Sequence, residues 1–206
     1  MYPAPKTPYV LGREGAGIVA EVGEGVTDVK TGDRVAYMGP EVCQRQIIAN
    51  WKSYAEFTLV PSKFVIKVPQ GVSTEVAAGS MIGGLTVLTL VREAYEVKKG
   101  DWILVHAAAG GTGLILGQIL KDLGAHTIGT VSNAAKGKLA REAGFEHVIE
   151  TYDHETVLSK VKQLTNGEGV ICVYDGVGSL RRTTLTSRWE KTPGNFHWIA
   201  LLDEGT

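Results

Sequence analysis

A glycine-rich stretch between a predicted strand and a predicted helix is the part of the chain best suited to chemistry. The stretch His106–Gly113 follows the apolar run Trp102–Val105 and precedes a helix predicted over Leu114–Leu123. Glycines allow the backbone to turn tightly and to approach a phosphate, and a helix N-terminus offers unpaired N–H groups and a positive field. In this strand–turn–helix context the stretch predicts a pyrophosphate-binding loop. The alternative is a tight turn that binds no ligand.

The end of the next predicted strand bears on which dinucleotide would bind. In dinucleotide-binding folds an acidic residue about 20 positions after the glycines binds the ribose 2′-hydroxyl of NAD. Here the strand ends at Gly129-Thr130-Val131-Ser132, Lys136 follows, and residues 124–140 contain no carboxylate. A hydroxyl and a cation suit the 2′-phosphate of NADP, so the sequence favours NADP over NAD. The alternative is that Lys136 is a solvated helix lysine.

Composition and charge exclude several other kinds of protein. The net charge of −1 speaks against binding nucleic acid or an anionic membrane through bulk charge. The five histidines and two cysteines show no metal-ligand spacing, and two cysteines fit a reducing, cytoplasmic compartment. We find no nucleophile elbow or P-loop. The chain also has no uninterrupted apolar run of about 18 residues, the length that a membrane helix needs.

The order of predicted elements changes near residue 98. Before it, the residue types predict strands at 17–23, 33–38 and 54–60, and then two helical runs, a short one capped by Ser73 and one over 85–95. After it, strands and helices alternate. The predicted strands are Trp102–Val105, His126–Val131, His147–Ile149 and Gly169–Tyr174, and the helices between them are Leu114–Leu123, Ala134–Ala143 and Glu155–Leu164. This alternation predicts a doubly wound parallel sheet.

The last residues, Ser179–Thr206, break this pattern. They contain no valine and show neither the period of a strand nor that of a helix. We therefore expect the sheet to stop after four strands and to leave an unpaired apolar edge. The change of composition suggests an aberrant end, such as one produced by a frameshift.

Several motifs, in one order, resemble a known family. They are Tyr2-Pro3-Ala4-Pro5, Leu11–Gly17, Lys30–Val35, Gly84-Leu85-Thr86, His106–Gly113 and Tyr174–Gly178. Together they resemble the NADPH:quinone oxidoreductases, the zeta-crystallin-like, zinc-free branch of the medium-chain dehydrogenase/reductases. The resemblance implies an α/β fold in which a partial GroES-like β domain at residues 1–84 precedes a partial Rossmann domain at 85–178. An irregular tail would occupy 179–206.

The resemblance also implies roles for particular residues. Arg13 stands where zinc-dependent relatives carry a histidine ligand, so we expect no metal. Tyr2 matches a catalytic-cleft tyrosine, and Thr86 matches a threonine near the nicotinamide, although Thr86 could instead only cap a helix. The other expected cofactor-binding residues are Ala109, Gly110, Gly111, Thr112, Gly113, Gly129, Ser132, Lys136 and Tyr152.

The implied activity is hydride transfer from NADPH to a quinone or to an activated double bond, in a cytoplasmic protein. Full-length family members form homodimers. This chain resembles them in part only and looks truncated at both ends, so we expect weak NADPH binding and poor turnover. Two alternatives stay open, namely a nucleotide-binding or structural module without catalysis, and an enoyl or alkenal reductase.

Overall fold

The computed structural model describes residues 11–38 and 53–176, and the backbone of residues 199–201. The chain divides into two compact units, Met1–Leu85 and Thr86–Thr206. The division lies one residue after the predicted domain boundary.

The first unit contains a three-stranded antiparallel sheet. Its strands are β1 (Glu14–Ile18), β2 (Arg34–Met38) and β3 (Val65–Lys67), in the order β1-β2-β3. Gly15 lies opposite Tyr37 in the register of the first pair. A Cβ atom at Gly15 would lie 2.7 Å from the Tyr37 hydroxyl oxygen, so the glycine leaves space for this ring against β1.

Two strand predictions in this unit need correction. β1 covers Glu14–Ile18 and not 17–23. Gly15 and Gly17, which look unsuited to a strand, both pair with β2, and Gly15 makes space for the Tyr37 ring. The predicted strand at 54–60 is wrong. Its side chains Tyr54, Phe57 and Leu59 are 76%, 74% and 74% exposed. Their strand propensity has no effect here, since the described residues offer this segment no ladder partner.

A long helix follows the first sheet. Ser73 caps α1 (Thr74–Thr89) as expected, since its Oγ accepts the N–H of Val76 at 3.2 Å. The two predicted helical runs are in fact one, continued by a wider helical turn at Leu90–Ala94, because interior glycines cost about 1 kcal/mol each without breaking a helix. By length and composition, the helix Thr74–Ala94 meets the criterion for a membrane-spanning helix. The search for an uninterrupted apolar run in the sequence did not indicate it. Core helices of soluble proteins meet the same criterion, so this is weak evidence.

The second unit is the predicted doubly wound parallel sheet. Its parallel strands are β4 (Trp102–Val105), β5 (His126–Thr130), β6 (His147–Ile149) and β7 (Cys172–Tyr174), and the helices between them are α2 (Gly111–Asp122), α3 (Ala134–Glu142) and α4 (His154–Leu164). Neighbouring residues of β4 face opposite sides: Ile103 packs in the cluster containing α2 residues, and Leu104 in the cluster containing α4 residues. Helices therefore cover both faces.

The expectation that the sheet stops after four strands is wrong. A fifth strand, β8 (Ile199–Leu201), pairs antiparallel with β7, so the order is β6-β5-β4-β7-β8. Three apolar residues are too short to show a period, which is why no strand was predicted in the tail. They are enough to pair with the three residues of β7, and the predicted unpaired edge at β7 does not exist. The rest of the tail lies outside the described residues.

Gly117 is a position in the middle of α2 at which the helix packs closely on the rest of its unit. A Cβ atom there would lie 2.7 Å from Cε2 of Phe145 and 2.9 Å from the carbonyl oxygen of Ala143. Phe145 is itself buried, at 3% exposure, in the cluster that also holds Leu116 and Leu120 of α2. Contacts this short leave no space for a methyl group.

We expect Gly117→Ala to destabilise the second unit, because overpacking a close core contact costs about 1–3 kcal/mol. Urea unfolding followed by circular dichroism measures the effect. Gly111→Ala is the matched control in the same helix, since a Cβ atom there meets no described atom within 4 Å. A Gly117→Ala variant as stable as the Gly111→Ala variant would contradict this packing.

Candidate functional site

The loop between β4 and α2 turns tightly and packs against the start of the helix. Ala107 adopts a left-handed conformation with φ of +53°, and the N–H of Gly110 donates to the carbonyl oxygen of Ala107 at 2.8 Å. A Cβ atom at Gly113 would lie 2.6 Å from the carbonyl oxygen of Ala108 and 2.7 Å from that of Ala107. Glycine at 113 is therefore required for the helix to begin this close to the loop.

The start of α2 offers a set of N–H donors. The first intrahelical bond after the cap runs from the N–H of Leu114 to the carbonyl oxygen of Gly110, at 2.9 Å. The preceding N–H groups of Gly111, Thr112 and Gly113 belong to the first turn, which has no intrahelical acceptors. These donors, the helix field and the absence of side chains at Gly110 and Gly111 fit a diphosphate.

A second helix start lies beside the first. β4 and β5 are parallel neighbours, with Val105 opposite Gly129, so the segments that follow them emerge at one edge of the sheet. Asn133 caps α3 by accepting the N–H of Lys136 at 3.0 Å. Ser132 and Lys136 are exposed there. The order of strands reverses between β5 and β7 around β4, and ligands of open α/β sheets bind beside such a point.

Gly129 lies beneath the loop. It is buried in β5, and a Cβ atom there would lie 2.7 Å from Cβ of Ala108 and 3.0 Å from Cδ1 of Phe145. Its lack of a side chain thus lets Ala108 pack on the sheet. We infer that Gly129 acts on a bound cofactor by supporting the loop.

The remaining predicted site residues lie in different places. Thr86 is half-buried in the interior of α1 and does not begin it. Tyr152, 45% exposed, lies between β6 and α4, at the same edge of the sheet as Ser132. Tyr2 lies outside the described residues. The roles expected for these three residues stay predictions.

One histidine at this edge has a contact that sequence reasoning missed. His106, interpreted from sequence as a strand-end or surface residue, has its Nδ1 atom 2.9 Å from Oγ1 of Thr130. Burial lowers the pKa of His106, and His154 lowers it further, while the negative charge of Asp175 opposes them. Its position directly after a strand that leads into a glycine loop is the one available signal. No sequence pattern indicates which hydroxyl it would meet.

The described residues do not fit a zinc site. No three His, Cys, Asp or Glu side chains among them gather closely enough to hold a metal ion. Arg13 is exposed, and a guanidinium has no lone pair to offer a metal. Burial raises the pKa of Cys172 to about 12, so this thiol is protonated near neutral pH and is a poor ligand or nucleophile.

Comparison with known families agrees with this architecture. Residues 1–70 match the family described as "Alcohol dehydrogenase GroES-like domain", and residues 111–201 match the family described as "Zinc-binding dehydrogenase". The predicted fold class, a GroES-like domain followed by a Rossmann-like domain, is thereby confirmed.

Individual relatives narrow the assignment. A quinone oxidoreductase of Pseudomonas aeruginosa is 44% identical over 179 residues, which are 86% of this chain and 52% of that protein. A 2-haloacrylate reductase of a Burkholderia species is 39% identical over 173 residues, 83% of this chain and 49% of the relative. The crystal structure of the Escherichia coli quinone oxidoreductase in complex with NADPH matches with a TM-score of 0.74 at 42% identity, over 86% of this chain and 51% of that one.

The chain thus spans about half the length of the curated relatives it matches. Over that half, it is 44% and 39% identical in sequence to these two relatives, and its fold matches that of a solved structure. The chain is therefore similar to the quinone oxidoreductases over about half of their length.

Proposed function

We propose that this chain binds NADPH at the carboxyl edge of β4 and β5, and that the protein reduces a quinone with it. The observation that carries the proposal is the geometry of the loop before α2. Two of its carbonyl oxygens lie where only a glycine fits at position 113, and three N–H donors begin the helix. A relative with 42% identity was solved in complex with NADPH, which supports the choice of cofactor.

Different residues at this edge of the sheet would bind different parts of NADPH. The N–H groups of Gly111, Thr112 and Gly113 would bind the pyrophosphate oxygens. Ser132 and the cation of Lys136 would hold the 2′-phosphate, and the first N–H groups of α3 would add to their field. Bound NADPH supplies a hydride to the acceptor, so the protein's task is to hold the acceptor in place and to exclude water.

The nicotinamide side of the site involves other residues. Thr86 would lie near the nicotinamide and Tyr152 near the adenine, while Tyr2 would contact the acceptor in the cleft. We propose these three roles from the family resemblance. From the same resemblance, we propose that the protein is a cytoplasmic homodimer.

A second acceptor class has specific support. The 39% identical relative is named a 2-haloacrylate reductase, which points to activated double bonds as substrates. Quinones and such alkenes are both electron-poor π systems conjugated to a carbonyl group, and each takes up two electrons and two protons on reduction. One site could therefore serve either class, and a third possibility is a module that binds nucleotide without turnover.

The function is tested by NADPH oxidation in the presence of 1,4-benzoquinone, an α,β-unsaturated ketone and 2-chloroacrylate. We expect oxidation that depends on the quinone and is slow for an enzyme, because the chain spans half of its relatives. Faster turnover with either alkene would favour the second acceptor class. Binding of NADPH with no turnover on any acceptor would identify a binding module instead.

Lys136 should set the preference for NADPH. We expect Lys136→Ala to weaken NADPH binding about tenfold or more, since a charged hydrogen bond contributes about 1.5–3 kcal/mol, and to leave NADH binding unchanged. Fluorescence titration of both nucleotides measures this. Lys138→Ala removes the same charge from the same helix at a residue that faces Glu142, 3.9 Å away, and serves as the control. Equal losses for NADPH and NADH would contradict the assigned role.

Gly113 should be indispensable for binding. A methyl group at this position must push the helix start away from the carbonyl groups of the loop, so we expect Gly113→Ala to weaken NADPH binding by about tenfold or more. The control is Gly117→Ala, which is also crowded but lies one helical turn further from the loop. If both variants bind NADPH equally well, the loop geometry does not determine affinity.

A further inference from the structure

His106 connects the glycine loop to the neighbouring strand through its side chain. It is the first residue after β4, and its Nδ1 atom lies 2.9 Å from Oγ1 of Thr130, the last residue of β5. Thr130 is fully buried, at 0% exposure. A hydroxyl in such a place needs a hydrogen-bond partner, and the imidazole provides one.

Backbone bonds hold the same loop from both sides. The N–H of His106 donates to the carbonyl oxygen of Tyr174 in β7 at 3.0 Å, and the N–H of Ala108 donates to the carbonyl oxygen of Thr130 at 3.0 Å. Thr130 thus contacts the loop twice, through its carbonyl oxygen and through its hydroxyl. Since these partners belong to β5 and β7, the loop is fixed to the strands on either side of β4.

Thr130 also leads directly into the segment proposed to hold the 2′-phosphate. Val131, the next residue, is 1% exposed and donates its N–H to the carbonyl oxygen of Ile149 at 3.0 Å. Ser132 and the cap of α3 follow at once. A change in the backbone conformation of Thr130 would therefore move Ser132 and the start of α3 relative to the pyrophosphate loop.

We propose that His106 is a positioning residue that, through Thr130, fixes the spacing between the pyrophosphate loop and the 2′-phosphate segment. This inference rests on the proposed function, because that function makes the pyrophosphate loop and the 2′-phosphate segment the two halves of one NADPH site. A ligand that spans both halves gains affinity when their spacing is set in advance. A ligand that uses one half gains nothing from it.

The charged groups around His106 define the conditions for the test. Asp175, which follows β7, and His154, at the start of α4, are the titratable groups that act on its ring. Because burial lowers the pKa of His106, the ring is neutral at a pH of about 7.5, above the ordinary value of about 6.5. Measurements at this pH examine the hydrogen bond without a change of charge.

The test compares Thr130→Val, which removes the hydroxyl, with Thr130→Ser, which keeps it. We expect Thr130→Val to weaken NADPH binding about three- to tenfold, the effect of one hydrogen bond. Binding of adenosine 2′-monophosphate, which reaches the 2′-phosphate segment alone, should not change. Thr130→Ser should restore NADPH affinity. Hydrogen exchange at the N–H of Ala108 should become faster in Thr130→Val only.

The histidine side of the pair provides a second test. His106→Asn keeps an amide near the Nδ1 position and should bind NADPH better than His106→Leu, and this comparison stands even if Thr130→Val fails to fold. His106→Leu combined with Thr130→Val should lose no more affinity than either single change.

Several results would overturn the inference. The first is equal NADPH affinity of Thr130→Val and Thr130→Ser. The second is a loss of affinity for adenosine 2′-monophosphate that is as large as the loss for NADPH. The third is a double variant whose loss of NADPH affinity is the product of the two single losses. If the wild-type chain binds NADPH under these conditions, any of these results contradicts only the positioning role of His106 and leaves the proposed function in place. If the wild-type chain binds no NADPH, both are wrong.

Discussion

The candidate site depends on how closely α2 approaches the loop in front of it. A Cβ atom at Gly113 would lie 2.6 Å from the carbonyl oxygen of Ala108, and one at Gly129 would lie 2.7 Å from Cβ of the same alanine. Ala108 is thus held between a helix and a strand, both of which have glycine at the contact. Because no side chain separates these elements, the N–H groups at the start of α2 lie directly beyond the end of β4, where a phosphate can reach them.

Sequence reasoning succeeded where a short apolar run lies between clear turn residues. β4 and β6 have the predicted bounds, and the doubly wound order follows from the alternation of strands and helices. It failed where the presence or absence of a neighbouring strand determines whether a segment forms a strand. Residues 54–60 have strand-forming types but no ladder partner among the described residues, and β8 is a strand because β7 offers it an edge. Strand formation depends on pairing across the sheet, which one sequence does not show.

Some features of the candidate site could likewise be predicted from the sequence, and others could not. The loop at 106–113 and the segment at 129–136 could be found because each follows a strand and begins a helix, so their place in the fold follows from the order of elements. The contact between His106 and Thr130 could not be found. It joins the residue that follows β4 to the last residue of β5, and its geometry depends on the register of the sheet. The packing of Ala108 against Gly129 likewise could not be found, because one sequence does not show which residues are neighbours in space.

The proposed phosphate-binding part of the site occupies one continuous segment, from β4 to the start of α3, within a chain that spans about half the length of its relatives. Recognition of the nucleotide should therefore persist in this chain even where turnover is poor. The most direct test is titration of the isotope-labelled chain with NADPH, monitored by the NMR signals of backbone amides. The expected result is a set of shifts concentrated at Gly111–Gly113 and Ser132–Lys136. Shifts that avoid both segments, or a folded chain whose amide signals do not respond to NADPH, would contradict the account.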